Sequence, residues 1–154
     1  MISVGRPAAL LRDAIAAYEA RAARYWPLEV AHVKAEPARG GVPIERVLQA
    51  EGERLLGRVA EGAEVVVLTR GGRSWDSPRL AAHLRELSVR SHPGAAFLIG
   101  GAAGLDQAVL ARADRQLRIS SFTLAHDVAR LVLAEQLYRA GTIARGEPYH
   151  RGPA

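Results

Sequence analysis

The sequence predicts an α/β fold, a largely parallel sheet flanked by helices, and three observations carry that reading. Glu64-Val65-Val66-Val67-Leu68 is a continuous β-branched run of the kind found in strands covered on both faces. Ala96-Phe97-Leu98-Ile99 is a second apolar run, and it ends abruptly in Gly100, Gly101 and Gly104. Stretches with helical spacing separate the strand candidates, so strands and helices alternate along the chain, as parallel strands joined by crossovers require.

Taken in order, Ile2 to Val4 is a short first strand, and Pro7 begins a helix in which Leu10, Leu11, Ala14, Ile15 and Tyr18 recur. Arg12, Asp13, Glu19 and Arg21 occupy its far face. Trp26 to Lys34 alternates apolar and polar residues and reads as a half-exposed second strand. Ala35 to Val42 is a loop, and Ile44, Val47, Leu48, Leu55 and Leu56 mark a helix whose Glu51 and Glu53 read as a solvated face. The valine run is the third strand, followed by a loop from Thr69 to Asp76. Ser77 is then expected to cap a helix with Pro78 at its first position, running to about Ser88. His92-Pro93-Gly94 turns the chain into the fourth strand. Asp106 caps a short helix, Arg115 to Ser120 is a last strand, and Val128 to Ile143 is the last helix.

The chain has 154 residues, the length of one domain, and residues 1–154 are read as a single unit. Without cysteine there is no thiolate nucleophile and no disulfide framework, and zinc chemistry is not supported. No signal peptide and no apolar run long enough to span a membrane are visible, so a soluble, cytoplasmic protein with no membrane partner is expected. The net charge of +5 suits a polyanion such as RNA. Lys34 is the only lysine, so arginine supplies nearly all of that charge, as compositional bias alone would also do. Few aromatic residues argue against a platform for stacking many bases.

The glycine loop has two readings, a tight turn and a cofactor loop. It lacks the G-x-G-x-x-G spacing of dinucleotide binders, and no Lys-Ser or Lys-Thr follows it as in a phosphate loop. No G-x-S-x-G elbow is present. A second constellation is Ser120-Ser121-Phe122-Thr123-Leu124-Ala125-His126, leading into a helix apolar on more than one side that carries Arg130, Glu135, Tyr138 and Arg139. The tail Gly146-Glu147-Pro148-Tyr149-His150-Arg151 is either a frayed end or a functional one.

Leu98-Ile99-Gly100-Gly101, Gly104-Leu105, Thr123-Leu124-Ala125-His126, Ala129-Arg130, Glu135 to Ala140 and Pro148-Tyr149-His150 together resemble the RlmH family, and the resemblance covers essentially the whole chain. That family consists of bacterial methyltransferases of the SPOUT class that act on N3 of a pseudouridine in helix 69 of 23S ribosomal RNA. The resemblance implies a homodimer with a C-terminal trefoil knot, S-adenosylmethionine as cofactor, the assembled ribosome as substrate, and no DNA partner. It also implies cofactor contacts at Leu68, Gly101 and the segment Ser120, Ser121, Phe122, Thr123, Leu124 and Ala125. His150, Arg139, Tyr149, His126 and Arg130 are its candidates for catalysis, with His150 ahead of His126 as base. His32, His83 and His92 read as structural. Two alternatives stay open: a SPOUT enzyme with another RNA target, and a ribosome-binding module without turnover.

Overall fold

The computed structural model describes residues 1–38 and 40–150. Arg39 and Arg151, which the sequence places in a loop and in the tail, lie outside the described residues. The elements are β1 (Ile2–Val4), α1 (Ala9–Ala22), β2 (Ala31–Val33), α2 (Ile44–Leu56), β3 (Glu64–Ser74), α3 (Ser77–Val89), β4 (Ala95–Ile99), α4 (Gln107–Arg112), β5 (Arg115–Arg118) and α5 (His126–Ala144), with a final 3-10 turn at Pro148–His150. The strands form one sheet in the order β2-β1-β4-β3-β5, and every pair is parallel. The parallel α/β architecture is as the sequence predicts.

Side chains along a strand alternate between the two faces, so the sheet carries two apolar layers. On one face Val66, Phe97, Ile99 and Leu117 pack with Leu80, Leu84, Leu133, Leu137 and Ala22 from α3, α5 and α1. On the other, Val65, Val67, Leu98, Ile2 and Val4 pack with Leu55 of α2 and Val109 of α4. Val65, Val66 and Val67 are wholly buried, which is why this strand reads as an unbroken apolar run. Because all strands run the same way, their carboxyl ends share one edge of the sheet. Ligands of open α/β sheets bind at that edge.

Several boundaries differ from the sequence reading. β2 spans only Ala31–Val33; Pro27 has no N–H for a ladder, and the Trp26 indole donates instead to the Leu137 carbonyl at 2.8 Å. The expected loop after Leu68 continues β3 to Ser74. Leu117 of β5 pairs with Leu68 before the excursion at 69–72 and with Arg73 after it. Gly72 is pressed against β5 there, since a Cβ would lie 2.6 Å from the Gln116 carbonyl group. The cap of α3 is Asp76, whose carboxylate accepts from Arg79 N at 2.8 Å. Ser77 is the first helical residue, and its hydroxyl reaches Gln136 of α5. Asp106 caps α4 as expected, accepting from Ala108 N at 2.8 Å.

Candidate active site

Three segments reach the carboxyl edge near one another. Leu68 is half-buried at the point where β3 departs from its first register with β5. β4 ends in the glycine loop, closed by an isolated bridge between Gly101 and Gly104 and by a bond from Gly104 N to the Gly101 carbonyl at 3.1 Å. Gly104 has φ +98°, a conformation other residues rarely adopt. Beyond β5 the chain enters Ser120–Ala125. Across Ser121–Leu124 one main-chain hydrogen bond is made among the described residues, from Phe122 N to Ser120 Oγ at 3.0 Å. The remaining N–H and C=O groups there are free to bind a ligand, and buried ones would have to be paired. Beside this segment lies a cleft of about 310 Å³ between α3 and α5, lined by Trp75, Ser77, Leu117, Ile119, Val132 and Gln136 among others.

Glu51 is the residue beside the glycine loop whose placement the sequence reading missed. Expected on a solvated face with Glu53, it is 5% exposed. Its Oε1 accepts from Glu36 N at 3.0 Å, while its Oε2 has no partner among the described residues. A Cβ on Gly101 would stand 2.9 Å from that Oε2 and 3.1 Å from Val4 Cγ1. The carboxylate thus lies directly against the glycine loop. The signal was present in the spacing: Glu51 stands four residues from Val47 and four from Leu55, on the buried stripe of α2. Glu53 is exposed and takes a hydrogen bond from Gln49.

The remaining candidates divide between the two ends of α5. His126 opens the helix, with Nε2 3.3 Å from Asp127 Oδ1, and Asp127 Oδ2 accepts from Ala8 N at 2.9 Å. One turn later Arg130 is 3% exposed and engaged in the interior. Its Nε and NH2 donate to Glu19 Oε1 at 2.9 and 2.6 Å, and NH1 donates to Ser3 Oγ at 3.2 Å. The same guanidinium lies against the His32 ring, 3.0 Å from Nδ1. Glu19, expected on a solvated face of α1, is the partner of this buried cation.

At the far end, Arg139 donates twice to Glu135 Oε1, at 2.9 and 2.7 Å, and its guanidinium carbon lies 4.9 Å from the centre of the Tyr149 ring. The hydrogen bond to Glu135 holds the Arg139 proton still more firmly than usual. Burial, then Tyr18 and the Glu135 charge, push the Tyr149 phenol up to about 12. At neutral pH it is therefore a hydrogen-bond donor and not a base. Tyr149 also packs on Tyr138 at 4.5 Å, and Tyr25 donates to Glu147, so the tail lies against its own chain, with His150 in the final turn. His126 and Arg139 are roughly 20 Å apart along the helix at 1.5 Å per residue. One chain does not bring both groups to one substrate atom. His83 pairs with Glu64 and packs on Trp75, and His92 bonds within its own turn.

The chain therefore offers an open main-chain segment at a sheet edge, a glycine loop backed by a buried carboxylate, and an arginine–tyrosine pair at a distance. Comparison with known proteins gives this arrangement a context. A family model described as "Predicted SPOUT methyltransferase" matches residues 1–150. The chain is 51% identical over 152 residues to the ribosomal RNA large subunit methyltransferase H of Gemmatimonas aurantiaca, covering 98% of this chain and 97% of that one. It is 42% identical over 151 residues to the protein of the same name from Syntrophotalea carbinolica, covering 97% and 96%. The namesake of Bifidobacterium adolescentis is 39% identical over 155 residues, with 98% of each chain covered.

Proposed function

We propose that this chain, which belongs to the SPOUT methyltransferase family and is a methyltransferase of large-subunit ribosomal RNA, uses S-adenosylmethionine to methylate N3 of a pseudouridine in helix 69 of 23S RNA. The observation that carries the reading is the open main chain of Ser121–Leu124 beside Leu68 and the glycine loop. Main-chain donors and acceptors suit an adenine edge, and the Oε2 of Glu51 beside the loop is an acceptor with no partner among the described residues. When bound, the cofactor supplies a methyl group made electrophilic by its sulfonium centre. Leu68, Gly101 and residues 120–125 are the positions that would hold it.

The chain's own residues have separate tasks. N3 of the base lies between two carbonyls and loses its proton before it can accept a methyl group. Donors aimed at those carbonyl oxygens carry most of the stabilisation, and loss of one such donor typically costs about 2.7–4 kcal/mol of barrier. Arg139 is permanently charged and Tyr149 stays protonated, so both suit this task. His150 is assigned to take the N3 proton, with His126 as the competing candidate. The separation along α5 supports a homodimer in which the tail of one protomer serves the cofactor loop of the other. Leu10 and Phe122, 91% and 80% exposed near this edge, supply apolar surface for a second copy. The knotted C-terminal path that the family resemblance implies is part of the same proposal. Action in the cytoplasm on the assembled ribosome belongs to it too; among the described helices none is long and apolar enough to cross a membrane.

Mass mapping of 23S RNA from a strain lacking this protein tests the target: one methyl group should be missing from helix 69. A methyl missing elsewhere would assign another RNA target, and no detectable binding of S-adenosylmethionine would leave only a ribosome-binding module. His150→Ala should lower the methylation rate roughly 10²- to 10⁴-fold at saturating ribosome and cofactor. Wild-type rates in that variant would move the role of base to another group.

A further inference from the structure

The cleft between α1 and α5 is separate from the cofactor positions and has no role in the reading above. It measures about 460 Å³ and is lined by Arg6, Pro7, Arg12, Ile15, Ala16, Glu19, His32 and Arg130. We propose that it binds a backbone phosphodiester of the substrate RNA, next to the nucleotide that is methylated. This rests on the reading of the substrate as RNA.

The charges in the cleft are unequally answered. Glu19 is its one carboxylate, and Arg130 takes it with two donated hydrogen bonds. Arg6 and Arg12 are exposed and make no ion pair among the described residues. Asp13 follows Arg12 in sequence, but adjacent helix residues do not face one another. His32 is held below its ordinary value by burial and by the Arg130 cation, so at neutral pH it adds no charge of its own. Two free guanidinium groups over a neutralised floor fit a phosphodiester, whose oxygens the planar fork matches. At the rim, α1 starts without a side-chain cap, and the Ala9 and Leu10 N–H groups have no partner among the described residues.

Position ties the cleft to the chemistry. Arg6 and Pro7 follow β1 at the carboxyl edge of the sheet, where β1 pairs with β4 ahead of the glycine loop. The bond from Ala8 N to Asp127 fastens this corner to the first turn of α5, beside His126. Arg130 lies one turn, about 5.4 Å, further along the same helix. A strand of RNA held here places its bases at the open segment Ser120–Ala125.

Purified assembled ribosomes serve as probe, with binding measured between 50 and 200 mM salt. In the Arg6→Gln/Arg12→Gln variant, the slope of log K against log salt should become shallower by about one unit per lost contact, and affinity at 100 mM salt should fall by roughly an order of magnitude or more. The control Arg58→Gln/Arg90→Gln, at the opposite edge of the sheet, should keep the wild-type slope. Calorimetric affinity for S-adenosylmethionine should be the same in all three proteins. An unchanged slope in the Arg6/Arg12 variant, an equal loss in the control, or a parallel loss of cofactor affinity would each overturn the cleft as a phosphate site. Failure of the wild-type protein to bind assembled ribosomes would instead overturn the RNA reading and the cleft with it.

Discussion

Replacing Arg130 by an apolar side chain of similar length, Arg130→Met, is expected to lower stability by about 3 kcal/mol, the lower end of the cost of breaking a buried pair. The lower end applies because the Glu19 side chain keeps 16% of its exposure. For a domain of this size that is a fall in Tm of roughly 6–12 °C. The loss comes mainly from what remains: a carboxylate without its cation, and Ser3 Oγ without its donor. The double variant Glu19→Leu/Arg130→Met should therefore recover most of the loss, because removing both charges leaves neither unpaired. Acid sensitivity gives a second readout. Burial first and Arg130 second hold the His32 imidazole below its ordinary value, with Arg6 opposing and Glu19 favouring its protonation. The unfolded chain thus takes a proton on this ring before the native chain does. Its contribution to stability is complete above pH 6.5 and falls as the pH drops below that value. Without the Arg130 cation this acid loss should shrink. Urea midpoints at pH 7.5 and 5.5 check both statements, and a midpoint unchanged by Arg130→Met would show that the bridge does not hold α1, α5 and β1 together.

Arg130 and Glu51 also show where the sequence stops being legible. β3, β4 and α5 were readable because burial on two faces leaves apolar runs, and the Asp106 cap because a short acid before a helix has one common use. The extension of β3 through Gly71 and Gly72 was not readable: glycines look like a loop, yet the strand resumes its pairing with β5 at Arg73, and Gly72 lies so close to the main chain of β5 that a Cβ would not fit. The segment Trp26–Val30 has a strand's alternation but lies outside β2, joined to the start of β1, among the described residues, only where the Met1 amino group donates to the Glu29 carbonyl, while the Trp26 indole bonds to α5. Glu51 was assigned to solvent, and that reading failed because it lies between Val47 and Leu55 on the apolar stripe of its own helix. Arg130 was named as a candidate for catalysis, and it lies on the same face as Leu133 and Leu137, engaged with Glu19 in the interior. Positions Leu68, Gly101 and 120–125 were named from family resemblance; composition alone left the glycine loop divided between a turn and a ligand site.

The second large effect concerns that loop. On sequence grounds, a larger residue at Gly101 blocks the cofactor and leaves the fold largely intact, because the loop is read with Ser120 to His126 as half of a cofactor site. The geometry predicts otherwise. The space a side chain would enter is already filled by the Glu51 carboxylate and by Val4 of β1. Glu51 is pinned at its other oxygen by Glu36 N, so it does not move aside without breaking that bond. Gly101→Val is therefore expected to lose about 1–3 kcal/mol of stability by overpacking, and to lose cofactor affinity along with it as the loop is displaced. Gly101→Ala separates the two effects. Its single methyl meets the end of Glu51 first, so the double variant Gly101→Ala/Glu51→Ala should regain a melting temperature above that of Gly101→Ala alone. If the methyl instead interferes with cofactor directly, removing Glu51 restores stability and leaves binding impaired. Full stability in Gly101→Val would mean that Glu51 is free to leave its place, and the glycine would then be required by the ligand alone.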